Sequence, residues 1–228
     1  MLVIATILLG AVAQSVAGFG FALISGPVLI ATLGPQAGVQ LLILLSSVIS
    51  AGLLLHEGRH ARVGVGLVLL VPGVLMTPVA AWVVQRLDAR ALTGTAGLAT
   101  LLSVALLASG RRLPWLQGWR GATGASLLSA VMNVLGGLSG PAVALYAVNA
   151  AWPAHTVRPT LQVYGLGLTL VALATLGIPA LTPAPLLAAA AGWITGSLIA
   201  RHLSPPITRR IILTVAAIGG ISVLLRVV

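Results

Sequence analysis

The chain has no cysteine and no lysine. Without a thiol there is no disulfide, no thiolate metal site and no thiol nucleophile. Acids are almost as scarce: the only two are Glu57 and Asp88, and both fall in stretches that read as loops. Charged residues make up 6% of the chain, where a soluble domain carries roughly a quarter. Alternation of apolar and polar residues is also missing, which excludes an outer-membrane β-barrel. No basic residue precedes the first apolar run, so no cleavable signal peptide is expected and the first segment belongs to the mature protein.

What is present is apolar surface. Hydrophobic residues make up 59% of the 228 positions and the mean hydropathy is +1.14. Apolar runs of about 20 residues recur between short arginine-bearing loops, as a bilayer requires. Lipid satisfies no exposed backbone group, so the spans are helices. The net charge of +10 comes from arginines spread one to three per loop, a topology signal and not a nucleic-acid patch. The expected partners are the lipid bilayer and a small solute, with homo-oligomerisation left open and no cofactor or metal.

Eight apolar blocks follow one another. Two, Leu2 to Leu33 and Ala122 to Ala151, are too long for one ordinary span, and both break at glycines. The first reads Gln14, Ser15, Val16, Ala17, Gly18, Phe19, Gly20; the second reads Asn133, Val134, Leu135, Gly136, Gly137, Leu138, Ser139, Gly140, Pro141. Each long block precedes three ordinary ones, near 37–55, 63–84 and 91–108, then near 160–178, 183–200 and 211–227. Sliding the chain by 119 positions aligns Leu8 with Leu127, Gly18 with Gly137, Gly73 with Gly192, Arg90 with Arg209 and Ser103 with Ser222. This register points to an internal duplication. The organisation expected is a first membrane repeat over 1–108, a cytoplasmic linker over 109–121 and a second membrane repeat over 122–228.

Arginines set the topology. If each long block is a hairpin that returns to its starting side, nine arginines share one face: Arg59, Arg62, Arg111, Arg112, Arg120, Arg158, Arg201, Arg209 and Arg210. Arg86, Arg90 and Arg226 face the other side. The positive-inside rule makes the majority face cytoplasmic. Half-blocks of about 16 residues reach only about 24 Å, short of a hydrocarbon core of about 30 Å. The fold class expected is therefore an all-α polytopic membrane protein of two inverted repeats. Each is a broken helix or re-entrant hairpin followed by three transmembrane helices, in a bacterial cytoplasmic (inner) membrane.

Broken helices in corresponding places of two halves are a common way to build a transport site. Helix N-termini pointing inward offer backbone amides and the positive dipole end to an anion. The candidate substrate-binding residues are Gln14, Ser15, Gly18, Gly20, Asn133, Gly137, Ser139, Gly140 and Pro141. Gln40, Ser46, Ser47, Gln162, Tyr164 and Thr169 read first as interhelical hydrogen bonds, and Arg158 as an interfacial anchor. No span holds a carboxylate of the kind that proton- and sodium-coupled carriers place in the membrane. That favours anion export or facilitated movement over ion-coupled uptake, and a carrier over an enzyme. Two alternatives stand beside it. His56, Glu57 and His60 spell the H-E-x-x-H pattern of zinc peptidases, although Gly58 and the loop setting disfavour a metal-binding helix. An anion channel is the other.

The glycine breaks and the blocks after them resemble the sulfite exporter (TauE/SafE) family of membrane transporters over nearly the whole chain. The first half carries Ala17, Gly18, Phe19 and Gly20 followed by Gly26 and Pro27; the second carries Gly136, Gly137, Leu138, Ser139, Gly140 and Pro141 before Trp152 and Pro153. The resemblance implies transport of sulfite or another organosulfur anion, with the glycine motifs forming a central translocation site.

Overall fold

The structure is a computed structural model that describes residues 1–109, 116–180, 182–200 and 205–225. Arg111, Arg112, Arg201 and Arg226, used above for topology, lie outside the described residues. Among the described residues there are helices and no strands.

Each half has the same order of elements. The first has α1 (Leu2–Ala17), α2 (Phe21–Leu33), α3 (Pro35–Glu57), α4 (Val63–Val84) and α5 (Ala89–Ser109). The second has α6 (Gly118–Gly136), α7 (Pro141–Asn149), α8 (Ala154–Leu176), α9 (Pro183–Ile199) and α10 (Pro205–Leu224). A 3-10 turn, Gly58–His60, follows α3. The two long apolar blocks both break where the glycines predicted, between α1 and α2 and between α6 and α7. Helix α6 begins at Gly118, inside the stretch read as linker. Glu57 is the last residue of α3 and not a loop residue. Asp88 stands just before α5 and accepts a hydrogen bond from the Ala91 amide at 2.7 Å, an N-terminal cap.

Helices α3, α4, α5 and α8 are each long and apolar enough to cross a membrane, whereas α1, α2 and α9 are shorter apolar helices. A helix of 16 residues such as α1 extends about 24 Å. Helix α2 folds back beside it: Ser25 Oγ donates to the Thr6 carbonyl at 2.8 Å, and a Cβ on Gly10 would stand 2.9 Å from the Phe21 carbonyl oxygen. This is an antiparallel hairpin with its tip at residues 18–20.

At the centre α3 and α8 run antiparallel. Glu57 meets Arg158 at one end, Ser47 Oγ donates to Thr169 Oγ1 at 2.8 Å in the middle, and Gln40 Nε2 donates to the Leu176 carbonyl at the other. Around this pair the helices pack in matching couples, α1 on α9 and α6 on α4, α2 on α10 and α7 on α5. Glycines that align with each other in the sequence permit the closest of these approaches. A Cβ on Gly192 of α9 would lie 2.5 Å from the Leu8 carbonyl oxygen of α1, and one on Gly73 of α4 would lie 2.9 Å from Ser126 Oγ of α6. Small residues let helices approach closely in lipid, where burial of apolar surface supplies little drive between them.

The hydrogen bond from the Arg62 amide to Thr160 Oγ1 sets the start of α4 beside the start of α8, at the end that also carries Arg59 and Arg158. Arg86 lies at the far end of α4, its guanidinium 3.2 Å from the Trp82 ring centre.

Gly192→Val should overpack the α1–α9 contact and cost about 1–3 kcal/mol. Thermal unfolding in detergent should show a lowered midpoint, while Gly64→Ala, where a Cβ would meet nothing within 4 Å, leaves the midpoint in place.

Candidate functional site

Both breaks are built by the same backbone device. Helix α1 ends at Gly18, in the left-handed conformation (φ 81°), its amide donating to the Gln14 carbonyl at 2.8 Å. Helix α6 ends at Gly137 (φ 71°), its amide donating to the Asn133 carbonyl at 2.7 Å. Left-handed geometry costs an L-residue energy that glycine does not incur. Helices α2 and α7 then restart at Gly20 and Gly140.

The two tips touch. A Cβ on Gly140 would stand 2.8 Å from the Phe19 Cβ, and one on Gly137 would stand 3.0 Å from the Leu42 Cβ and 3.5 Å from the Ala22 Cβ. Between them lies a cavity of about 30 Å³ lined by Gln14, Gly18, Gly20, Gly137, Ser139, Gly140 and Pro141, among others. About 10–15 Å³ measured this way is enough for one water, so the cavity is of small-molecule and not of macromolecular size. The N-terminal turns of α2 and α7 both border it. The first bond within α2 runs from the Ile24 amide to the Gly20 carbonyl, and in α7 from the Ala144 amide to the Gly140 carbonyl. The amides of Phe21, Ala22 and Leu23, and those of Ala142 and Val143, therefore precede the helical ladder, as at every helix start.

A buried hydrogen-bond network closes one wall. Gln14 Nε2 donates to Ser50 Oγ at 3.1 Å and to Gln162 Oε1 at 3.3 Å. Ser46 Oγ donates to Gln14 Oε1 at 3.2 Å, and Ser50 Oγ to Gln162 Oε1 at 2.8 Å. Gln162 Nε2 donates to the Gly18 carbonyl at 2.7 Å. A side chain of the second half thus satisfies a carbonyl freed by the break in the first. Across the cavity, Ser129 Oγ of α6 donates to the Ser139 carbonyl at 2.5 Å.

Seven of the nine predicted site residues line the cavity; Ser15 and Asn133 do not. Ser15 faces α9, its Cβ 2.7 Å from where a Cβ on Gly196 would lie, and its hydroxyl has no hydrogen-bond partner. Asn133 is fully buried with neither amide atom bonded. It occupies the position that aligns with Gln14, but its half offers no matching partners. Where Gln14 finds Ser46, Ser50 and Gln162, the aligned residues are Gly165, Thr169 and Ile43.

Ser46 and Gln162, read as interhelical bonds, are that and also line the cavity, as does Ser50. Ser50 carries no motif, and only the position of α3 reveals it. Tyr164 serves packing instead: it is 1% exposed and donates to the Ser126 carbonyl at 3.3 Å. Arg158 is not a simple interfacial anchor. Its Cγ would lie 3.0 Å from a Cβ on Gly18, directly behind the first break.

The H-E-x-x-H stretch does not form the surface a zinc peptidase needs. Its histidines must stand one helical turn apart on a continuous helix, but α3 ends at Glu57 and residues 58–60 form a 3-10 turn. Glu57 Oε1 is engaged 3.1 Å from Arg158 Nη2. Among the described residues no group of three His, Cys, Asp or Glu side chains could hold a metal ion.

Long apolar helices, a hairpin ending inside the fold and a polar cavity between two helix breaks define a multi-pass helical membrane protein. The chain matches the model of the family described as Sulfite exporter TauE/SafE over residues 2–223. It belongs to that family, whose members are membrane transporters of sulfite or related anions and not enzymes. Neither the curated proteins nor the solved structures contain a match to this chain.

Gln162→Leu should leave the Gly18 carbonyl without its side-chain donor and the Ser50 hydroxyl without its acceptor, at a cost of about 1–3 kcal/mol for each stranded buried group. The folded midpoint in detergent should fall further for Gln162→Leu than for Ser46→Ala.

Proposed function

We propose that the protein is a secondary carrier of a small anion, sulfite or an organosulfur anion, exported across a bacterial inner membrane through the cavity between the two glycine breaks. The observation that carries this reading is the convergence of both breaks, one from each half, on a single polar cavity. The fold is then two inverted repeats, 1–108 and 122–228. The antiparallel course of α3 and α8, elements that correspond in the two halves, supports the inversion.

The chemistry of the lining suits an anion. The N-terminal turns of α2 and α7 present backbone amides with partial positive charge, and the hydroxyls and amides of Ser46, Ser50, Ser139, Gln14 and Gln162 are neutral donors. Neutral donors hold an oxyanion without the cost of a fully buried opposite charge. Release is correspondingly cheap. No carboxylate lines the cavity, so the electrical gradient itself is the driving force, about 2.3 kcal/mol per charge per 100 mV for an anion leaving a negative-inside cell.

The cavity is small and the tips are in contact, so passage of an anion requires the site to widen. Substrate enters when Phe19 parts from Gly140. Alternating access follows if one hairpin moves against the other while the second stays shut.

Purified protein in liposomes loaded with radiolabelled sulfite should show saturable efflux that is faster at negative-inside potential and shows counterflow. Gln14→Ala should reduce that efflux at least about tenfold, the loss of roughly one charge-assisted hydrogen bond. Flux without saturation or counterflow would identify a channel instead. Equal flux in wild type and Gln14→Ala would remove the cavity from the path.

A further inference from the structure

Arg158 stands between two spaces. Its aliphatic stem packs behind Gly18 at the central cavity, and its guanidinium reaches Glu57, which lines an open vestibule with His56, Arg59, His60 and His155. The vestibule measures about 570 Å³, ample for a hydrated oxyanion. The opposite end of the molecule has a cavity of about 340 Å³ bordered by Gln36, Gln40 and Gln85, with no charged side chain in its lining. The two end cavities therefore differ in charge: Glu57 and Arg59 line the vestibule, and Arg158 stands behind Glu57 on the side of the first break. The position aligned with Arg158 in the first half is Val39.

The pairing of Arg158 is incomplete. Nη2 and Glu57 Oε1 are 3.1 Å apart, yet the contact lacks the alignment of a hydrogen bond, and Nε and Nη2 are both buried with no hydrogen-bond partner among the described residues. The Arg158 side chain is 19% exposed and that of Glu57 is 29% exposed. A guanidinium presents Nε and one terminal nitrogen as a fork that fits two oxygens of an oxyanion. Here that fork is covered by a single carboxylate oxygen and is not satisfied by it. A structural ion pair at this depth would be expected to fill its donors, since an unsatisfied buried donor costs about 1–3 kcal/mol.

We propose that Arg158 is an anion-binding site at the mouth of the vestibule, and that Glu57 is an internal competitor that an incoming oxyanion displaces. Sulfite, thiosulfate and a sulfonate each carry two or more oxygens on one sulfur and can take the fork in two-point fashion, where Glu57 gives it one oxygen. The exchange swaps one anionic partner for another, so Arg158 is never left buried without a counter-charge. It places the bound anion against the first glycine break, one step from the central cavity. Glu57 swings toward the vestibule water, where its charge is solvated. The site rests on the carrier reading only for the onward step; binding at the fork stands independently of it.

The test is anion binding and transport by the full-length protein, with sulfite, thiosulfate and ethanesulfonate as probes, in wild type, Glu57→Gln, Arg158→Lys and Gln14→Ala. Folding of each variant is checked by thermal unfolding in detergent. Removing the competitor in Glu57→Gln should tighten binding and lower KM by about tenfold for at least one probe, with the midpoint unchanged or lower. Arg158→Lys, which keeps the charge and loses the fork, should weaken binding of the same probe by about tenfold. An ion pair that only supports the fold would give the opposite pattern for Glu57→Gln, a lower midpoint with KM unchanged or raised, and would overturn the proposal. Failure of all three probes to bind wild type and Glu57→Gln would overturn it as well. Gln14→Ala separates the two readings. If it transports normally while Glu57→Gln tightens binding, the vestibule site stands and the central cavity is not on the path. If it fails to transport while Glu57→Gln has no effect on KM, the central reading stands and the competitor is rejected.

Discussion

Everything in this fold depends on one constraint: a helix that stops inside the protein must find partners there for the backbone groups that its break frees. Water supplies them at a surface; at the buried tips of the two breaks, protein side chains do. The solution at the first break is Gln162, reaching from α8 to the Gly18 carbonyl; at the second it is Ser129, reaching to the Ser139 carbonyl. Each break is thereby tied to the core. The same bonds bring polar side chains to the place where the backbone opens. A cavity with hydrogen-bond capacity is the consequence of ending two helices inside the protein.

The two halves solve this problem with different chemistry. The first break recruits a five-bond network across α1, α3 and α8. The second is capped locally and leaves Asn133 buried without a partner. A related backbone plan thus carries unequal polarity. A symmetric site would bind an anion equally from both sides. An unequal one has a side on which polar groups are already paired and a side on which they are not, so under the proposed carrier reading a substrate would exchange hydration for protein donors mainly along the first break. The charged vestibule at Arg158 lies at that same hairpin, behind Gly18.

Much of the architecture was legible in the chain because lipid leaves few options. Apolar runs bounded by arginines located α3, α4, α5 and α9 to within two residues but placed the start of α8 six residues late, and the glycine clusters located both breaks, since only glycine takes the left-handed turns at Gly18 and Gly137 without strain. The start of α6 was not legible. Gly118, Trp119 and Arg120 read as loop by composition, and they form an exposed first turn of the helix that no local signal announces. The cavity was legible along the hairpins and obscure elsewhere. Ser50 lies on the face of α3 that meets Gln14, but serines are ordinary in membrane helices and nothing local distinguishes it. Ser15 and Asn133 show the reverse failure. They are polar and next to the breaks, yet one points to α9 and the other into a side of the bundle that lacks partners.

Arg158 was the hardest residue to place from sequence, because its role depends on a partner about a hundred positions away. An arginine near the start of a membrane helix ordinarily reaches to the headgroups along its flexible stem. Here the stem lies against a glycine, and the absent side chain at Gly18 is what admits it. The glycine therefore has two duties: the left-handed turn that ends α1, and the space that lets a cation sit behind the turn. Any side chain at Gly18 would both strain the backbone and push Arg158 outward. The conformation of the break and the position of the Arg158 cation are then coupled through one residue, since the stem of Arg158 rests where a side chain at Gly18 would be.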